Sequence, residues 1–260
     1  MNAAELFSLQ DRVAVVTGGS TGIGRHIATG LAAADATVYI CARTQAKVTA
    51  AAAEISATTG GRCTGLVADL STLAGIEALV AAVSTQEQAV HVLVNNAGTM
   101  ADAPIDDYGE DEWDPVIDLN LKAPFFTLRK FLPLLRAGGT AERPASIINI
   151  GSVGALKVGP KENYAYQASK SAIHWMAKGL AKRLGRDNIT VNVIAPGFFE
   201  IRDDRHHLQR DAHDGGIDGA PRPRRYAGRS GGRSHLSRLA GGRLCHRIGD
   251  PCRGRIVDLI

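Results

Sequence analysis

The sequence predicts a three-layer α/β/α protein built on a doubly wound parallel sheet. Three observations lead there. Short β-branched runs alternate with longer stretches rich in alanine and leucine, the rhythm of strand and helix in turn. A glycine-rich segment, Thr17–Gly24, stands between the first such run and the first helical stretch. Polar or turn-forming residues, Asn95, Gly151 and Pro196, follow where later runs end, and ligands of such sheets lie beyond the carboxyl ends of the strands.

Val13–Val16 reads as the first buried strand and Arg25–Ala34 as the first helix, so Gly18, Gly22 and Gly24 fall in the turn between them. Glycine there lets the backbone approach a pyrophosphate with no Cβ in the way, and the helix N-terminal N–H groups face its charge. Ser20 and Ile23 belong to the same cofactor-facing turn. The second strand, Thr37–Cys41, leads to Ala42 and Arg43. NAD-preferring folds carry an acidic residue at this point to accept from the ribose 2′-hydroxyl, whereas a cation suits a 2′-phosphate. NADP(H) is therefore expected over NAD(H); the competing reading of Arg43 is a solvated surface arginine. Val90–Val94, Ser146–Ile150 and Thr190–Ile194 supply further strands.

Tyr166 and Lys170 in Y-A-Y-Q-A-S-K are spaced i, i+4, on one face of a helix. A tyrosine with its ordinary pKa of about 10 is a poor base at neutral pH. A lysine ammonium about 4 Å away contributes roughly 4 kcal/mol at an effective dielectric of about 20. That is about three pKa units, enough to bring the phenol near 7, where acid–base catalysis works best. Ser152 in I-I-N-I-G-S would hold a carbonyl or alcohol oxygen by hydrogen bond.

These motifs resemble those of the single-domain short-chain dehydrogenases/reductases. The resemblance rests on T-G-G-S-T-G-I-G, A-D-L with Asp69, N-N-A-G at Asn95–Gly98, D-L-N-L with Asn120, I-G-S with Ser152, Y-Q-A-S-K, and N-V-I-A-P-G ending at Gly197. It covers about residues 10–200, in the family's order and spacing. It implies a Rossmann-like fold and hydride transfer between NADP(H) and a ketone or secondary alcohol. Asn120, Ser152, Tyr166 and Lys170 would be catalytic, with Asn120 anchoring a water relay to Lys170. Asp69 would contact the adenine, Asn96, Ala97 and Gly98 would line the cofactor, and Leu70, Pro196 and Gly197 would belong to the same cofactor-binding set. Tyr166 and Lys170 would also contact the cofactor, Lys170 through the nicotinamide ribose. The spacing to the lysine selects Tyr166 over Tyr164.

I-C-A-R, F-L-P-L-L-R and I-I-N-I-G-S look closest to 3-oxoacyl-acyl-carrier-protein reductases, including the rhamnolipid-pathway type, and gluconate and other sugar dehydrogenases share most of them. The substrate is then a small carbonyl or alcohol compound, and the family implies a homotetramer or homodimer. One departure lies near the site. Four positions after Gly197 the family usually has a hydroxyl residue on the nicotinamide carboxamide, and this chain has Ile201. Losing such a bond costs about 0.5–1.5 kcal/mol.

A chain of 260 residues with 45% hydrophobic content can bury one large core. No run approaches the roughly 18 apolar residues of a membrane span, and the first ten residues lack a basic stretch followed by an apolar one. A cytoplasmic location without membrane or nucleic-acid partners is expected. Cys41, Cys63, Cys245 and Cys252 form no C-x-x-C pair, so no metal site is expected.

Residues 201–260 change character. They hold 13 arginines and seven aspartates with no lysine or glutamate, whereas residues 1–200 hold 17 basic and 19 acidic residues. The family would place a substrate lid, the last helix and the last strand there, but regular apolar periodicity and an apolar final strand are missing. A basic arm for nucleic acid or an acidic carrier partner, on a catalytically silent dinucleotide-binding protein, is one reading. Metal binding through His206, His207 and His213 is another, without helical ligand spacing to support it. Back-translation favours a third, a change of reading frame. ATC TAT CTC GCC TCG, encoding I-Y-L-A-S, gives H-L-S-R-L when read one base earlier after a C, and that is His235–Leu239. At the same offset, codons for A-Y-V-T-G give Arg243–Arg247 and codons for V-I-P-V give Gly249–Cys252. The hidden string follows the family's C-terminal pattern, which predicts a change of reading frame between about residues 200 and 234.

Overall fold

The computed structural model describes residues 8–197 together with the backbone of 256–257. Ile201, the segment from Phe198 onward where a substrate lid is expected, Cys245, Cys252 and the histidines of the tail lie outside the described residues. The described residues belong to one compact unit.

One parallel sheet carries the molecule. Its strands are β1 (Val13–Thr17), β2 (Thr37–Ala42), β3 (Arg62–Val67), β4 (Val92–Asn95), β5 (Ala145–Ile150), β6 (Ile189–Ile194) and β7 (Ile256–Val257), in the order β3-β2-β1-β4-β5-β6-β7. The order reverses between β1 and β4, which opens a crevice at their carboxyl ends. Helices α1 (Gly22–Ala33) and α2 (Gln45–Thr59) cover one face, where they bury Ala28, Val48 and Ile55 against Ala14, Val16, Val38 and Ile40. Helices α3 (Leu73–Ser84), α5 (Ala123–Gly138) and α6 (Tyr164–Leu184) cover the other, burying Leu79, Phe131 and Ile173 against Val13, Val15, Leu93 and Ile147. Helix α4 (Glu110–Ile117) precedes α5. Alternate residues of β1 thus feed two cores, which is why its sequence is apolar throughout. Among the described residues no helix is long and apolar enough to cross a membrane.

The structure corrects the sequence reading at several points. β3 had no predicted counterpart: it is a half-exposed strand whose R-C-T-G-L-V carries little apolar pattern. Its Gly65 lies where a Cβ would stand 2.6 Å from the Val48 carbonyl, so glycine lets α2 pack onto the strand. A final strand does exist, since Ile256 and Val257 pair with Val193 and Ile194. Two residues suffice because an edge partner needs only its backbone ladder. Helix α1 starts at Gly22, three residues before the expected Arg25; first-turn N–H groups lack intrahelical partners anyway. β4 starts at Val92, two residues after the expected Val90, whose N–H donates to Leu134 O of α5.

Candidate active site

The predicted glycine turn joins β1 to α1 at the crevice. Gly18 and Gly22 have φ of +62° and +53°, a region other residues rarely enter. A Cβ on Gly24 would lie 2.3 Å from Asn96 Nδ2 and 2.5 Å from Gly18 O. The turn is held from the next strand. Asn96 Nδ2 donates to Thr17 O at 2.9 Å and to Gly18 O at 3.1 Å, while Thr17 Oγ1 accepts from the N–H groups of Asn96 and Ala97 at 2.9 and 3.0 Å. This two-way clasp assigns Asn96 to shaping the cradle. Thr17, not among the predicted site residues, is its counterpart, and its signal was a hydroxyl at the end of a buried strand. Ser20 and Ile23 stay partly exposed in the turn. A cradle closed to side chains and edged by the free N–H groups of a helix start fits a dinucleotide pyrophosphate.

Arg43 follows β2 and is exposed, and Asp69 follows β3. The Asp69 carboxyl accepts from the Ser71 hydroxyl at 2.8 Å and the Ser71 N–H at 3.1 Å. Those bonds, and more weakly the Arg43 charge, hold it below the usual aspartate pKa. The two residues therefore face one polar region at neighbouring strand ends. The Leu70 side chain is buried in the core, which leaves its backbone to meet a ligand.

On the other side of the crevice, Ser152, Tyr166 and Lys170 converge. Ser152 Oγ accepts from the Gly154 N–H at 3.0 Å, so its own hydrogen is free to donate. A Cβ at Gly154 would sit 3.3 Å from Ser152 Oγ and 3.8 Å from Tyr166 Cε1, so both side chains border one point. Lys170 Nζ lies 5.6 Å from the Tyr166 ring centroid and donates to Ile150 O at 2.7 Å. Burial lowers the Lys170 pKa from 10.5 to about 8, so the lysine expected to act on the tyrosine is itself tuned.

Asn120 sits in a single widened π-type turn, Asp118–Lys122, between α4 and α5, a device frequent at functional sites. Its amide accepts from Thr99 N at 2.8 Å and donates to Thr99 O at 2.8 Å and Ser169 Oγ at 3.3 Å. Both amide hydrogens are thereby used, so a water would meet Oδ1 or the backbone. A Cβ on Gly98 would come within 3.1 Å of Asn120 Oδ1 and 3.7 Å of Lys170 Nζ, so these groups flank one position. Pro196 O accepts from the Val153 N–H at 3.0 Å, which ties the loop after β6 to the one bearing Ser152, and Gly197 is exposed. No cluster of three or more metal-ligating side chains occurs among the described residues.

The buried Lys170 has a measurable consequence. Between about pH 8 and the ordinary lysine value of 10.5 the folded chain binds fewer protons at this group than the unfolded chain does. Its contribution to stability must therefore rise with pH through that window. Denaturant unfolding of cofactor-free wild type and Lys170→Met across that range should show the wild type gaining about 3 kcal/mol on the variant. A constant difference would contradict the burial of a titrating ammonium.

Comparison with known proteins agrees with this geometry. The family model for short chain dehydrogenases matches residues 12–211. A rhamnolipid-biosynthesis 3-oxoacyl-acyl-carrier-protein reductase from Pseudomonas aeruginosa is 44% identical over 200 residues, 77% of each chain. The RhlG/NADP active-site complex of that organism superposes with a TM-score of 0.75 at 43% identity, over 80% of both chains. L-Sorbose reductase from Gluconobacter frateurii, in complex with NADPH and L-sorbose, gives 0.74 at 30% identity, over 82% of this chain and 79% of that one. With the glycine cradle at the sheet's switch point and the serine, tyrosine and lysine across the crevice, the chain belongs to the short-chain dehydrogenase family of oxidoreductases.

Proposed function

We propose that this enzyme is an NADP(H)-dependent carbonyl reductase acting on a 3-oxoacyl-type ketone. The observation that carries the reading is the meeting of Ser152 Oγ and the Tyr166 ring at one point beside Gly154, with Lys170 behind the ring. The cofactor supplies hydride to the carbonyl carbon, or takes it in the reverse direction. Tyr166 gives its phenolic proton to the substrate oxygen while Ser152 donates a hydrogen bond to that oxygen and fixes its position. Lys170 favours the phenolate electrostatically and donates to the nicotinamide ribose, and Asn120 supports the relay that returns the proton. The Pseudomonas relative's activity supports the 3-oxoacyl class, and the sorbose reductase keeps a keto-sugar substrate as the second reading. Steady-state rates with NADPH decide between them: kcat/KM should favour a 3-oxoacyl thioester over L-sorbose. The reverse order would move the assignment to sugars, and inactivity with both would sink it.

Arg43 is our candidate for holding the 2′-phosphate, and the NADP and NADPH complexes of two structural neighbours support that choice. Hydrogen bonds to charged groups contribute about 1.5–3 kcal/mol. Arg43→Gln should thus raise the KM for NADPH by about 10- to 100-fold and leave that for NADH nearly unchanged. An equal rise for both would reject this role.

For the organisation of the chain, we infer a cofactor-binding and catalytic core over residues 1–200, with a change of reading frame between about residues 200 and 234. The family match ending at residue 211 supports this. A homotetramer or homodimer is the assembly we favour, because α6 exposes Trp175 and α5 exposes Phe125 on the outer layer. Intact mass under denaturing and native conditions reads both. A monomer of the mass of the 260-residue chain as written would reject both.

A further inference from the structure

The amino ends of β1, β4 and β5, opposite the crevice, surround an open cavity of about 360 Å³. Arg12, His91, Arg143 and Ser146 line it, with Leu9 and Val92 as apolar wall. The Arg12 guanidinium is fixed by donating to Gly138 O at 3.4 Å and Arg143 O at 3.2 Å. Among the described residues neither Arg12 nor Arg143 is ion-paired with a carboxylate, and the Arg143 guanidinium makes no hydrogen bond. His91 Nδ1 accepts from the Val13 N–H at 2.9 Å, which leaves Nε2–H as the donor of the neutral ring. Glu87 is close enough to influence His91, but its carboxylate accepts from Tyr39 Oη at 2.8 Å.

Two guanidinium groups that line one cavity without a carboxylate partner repel each other, and an oxyanion between them removes that repulsion and gains charge-assisted hydrogen bonds. The volume lies at the small end of ligand pockets. We propose that this cavity binds a small organic oxyanion, a carboxylate or phosphate monoester with a short apolar part against Leu9 and Val92. The site is separate from the glycine cradle, which lies beyond the other end of β1, about 16 Å away along the strand.

Arg143→Gln is the discriminating variant, since its guanidinium holds no backbone. Inorganic phosphate and butyrate should each bind the wild type saturably by calorimetry and raise its melting temperature beyond sodium chloride of equal ionic strength. Arg143→Gln should weaken both by about tenfold or more, while ketone reduction stays unchanged. Arg43→Gln, altered at the other end of the sheet, should bind both probes as the wild type does. Butyrate binding tighter than phosphate would mark a carboxylate ligand, and the reverse a phosphate monoester. Equal binding by Arg143→Gln, loss in Arg43→Gln, or an equal shift with chloride would overturn the proposal.

Discussion

Tyr166→Phe is expected to lower the turnover of ketone reduction by about 10²- to 10⁴-fold, the range that positioned acid–base groups contribute. Only the hydroxyl is lost. The ring remains to pack beside Gly154 and beneath the Lys170 ammonium, 5.6 Å from its centroid. Ser152 keeps its bond from the Gly154 N–H, and Lys170 keeps its bond to Ile150 O. Cofactor affinity, read by titrating protein fluorescence, should therefore stay close to that of the wild type while single-turnover reduction collapses. Turnover within about threefold of wild type would show that the proton comes from elsewhere.

Gly24→Ala is expected to damage the other half of the site. The added methyl would lie 2.3 Å from Asn96 Nδ2 and 2.5 Å from Gly18 O. The backbone oxygen cannot rotate away, so Asn96 must move and release its bonds to Thr17 O and Gly18 O. Overpacking of this kind costs about 1–3 kcal/mol, or roughly 3–10 °C of melting temperature for a domain of this size. NADPH affinity should fall with it, because the turn that shapes the pyrophosphate cradle opens. Calorimetric melting and NADPH titration on one sample check both, and an unchanged affinity would remove the cradle role of this turn.

The features legible in the sequence were those written locally. Val13–Val16 and Thr190–Ile194 are continuous or alternating apolar runs, the glycines stand within eight residues, and Tyr166 and Lys170 are one helical turn apart. β3 escaped because it is half exposed and carries Gly65 and Arg62 where a strand pattern expects apolar residues. β7 escaped because two residues are too few for any periodicity. At the site, the missing parts join distant segments. Asn96 and Thr17 are 79 residues apart, Lys170 reaches back 20 residues to Ile150 O, and the cavity at the far end gathers residues from three strand starts. Leu70 shows what a motif leaves unsaid: packing turns its side chain inward, so only its backbone is placed to meet a ligand.

The clasp between Thr17 and Asn96 also bears on how the enzyme meets its cofactor. Glycine-rich segments have the most backbone freedom to lose, on the order of 1–2 kcal/mol per residue fixed. Here that loss is incurred when β1 and β4 pair during folding, because the same hydrogen bonds that close the sheet end also fix the turn. Encounter with the dinucleotide then needs no ordering of the glycine loop, and the attraction of the helix N-terminus for phosphate appears in affinity almost undiminished.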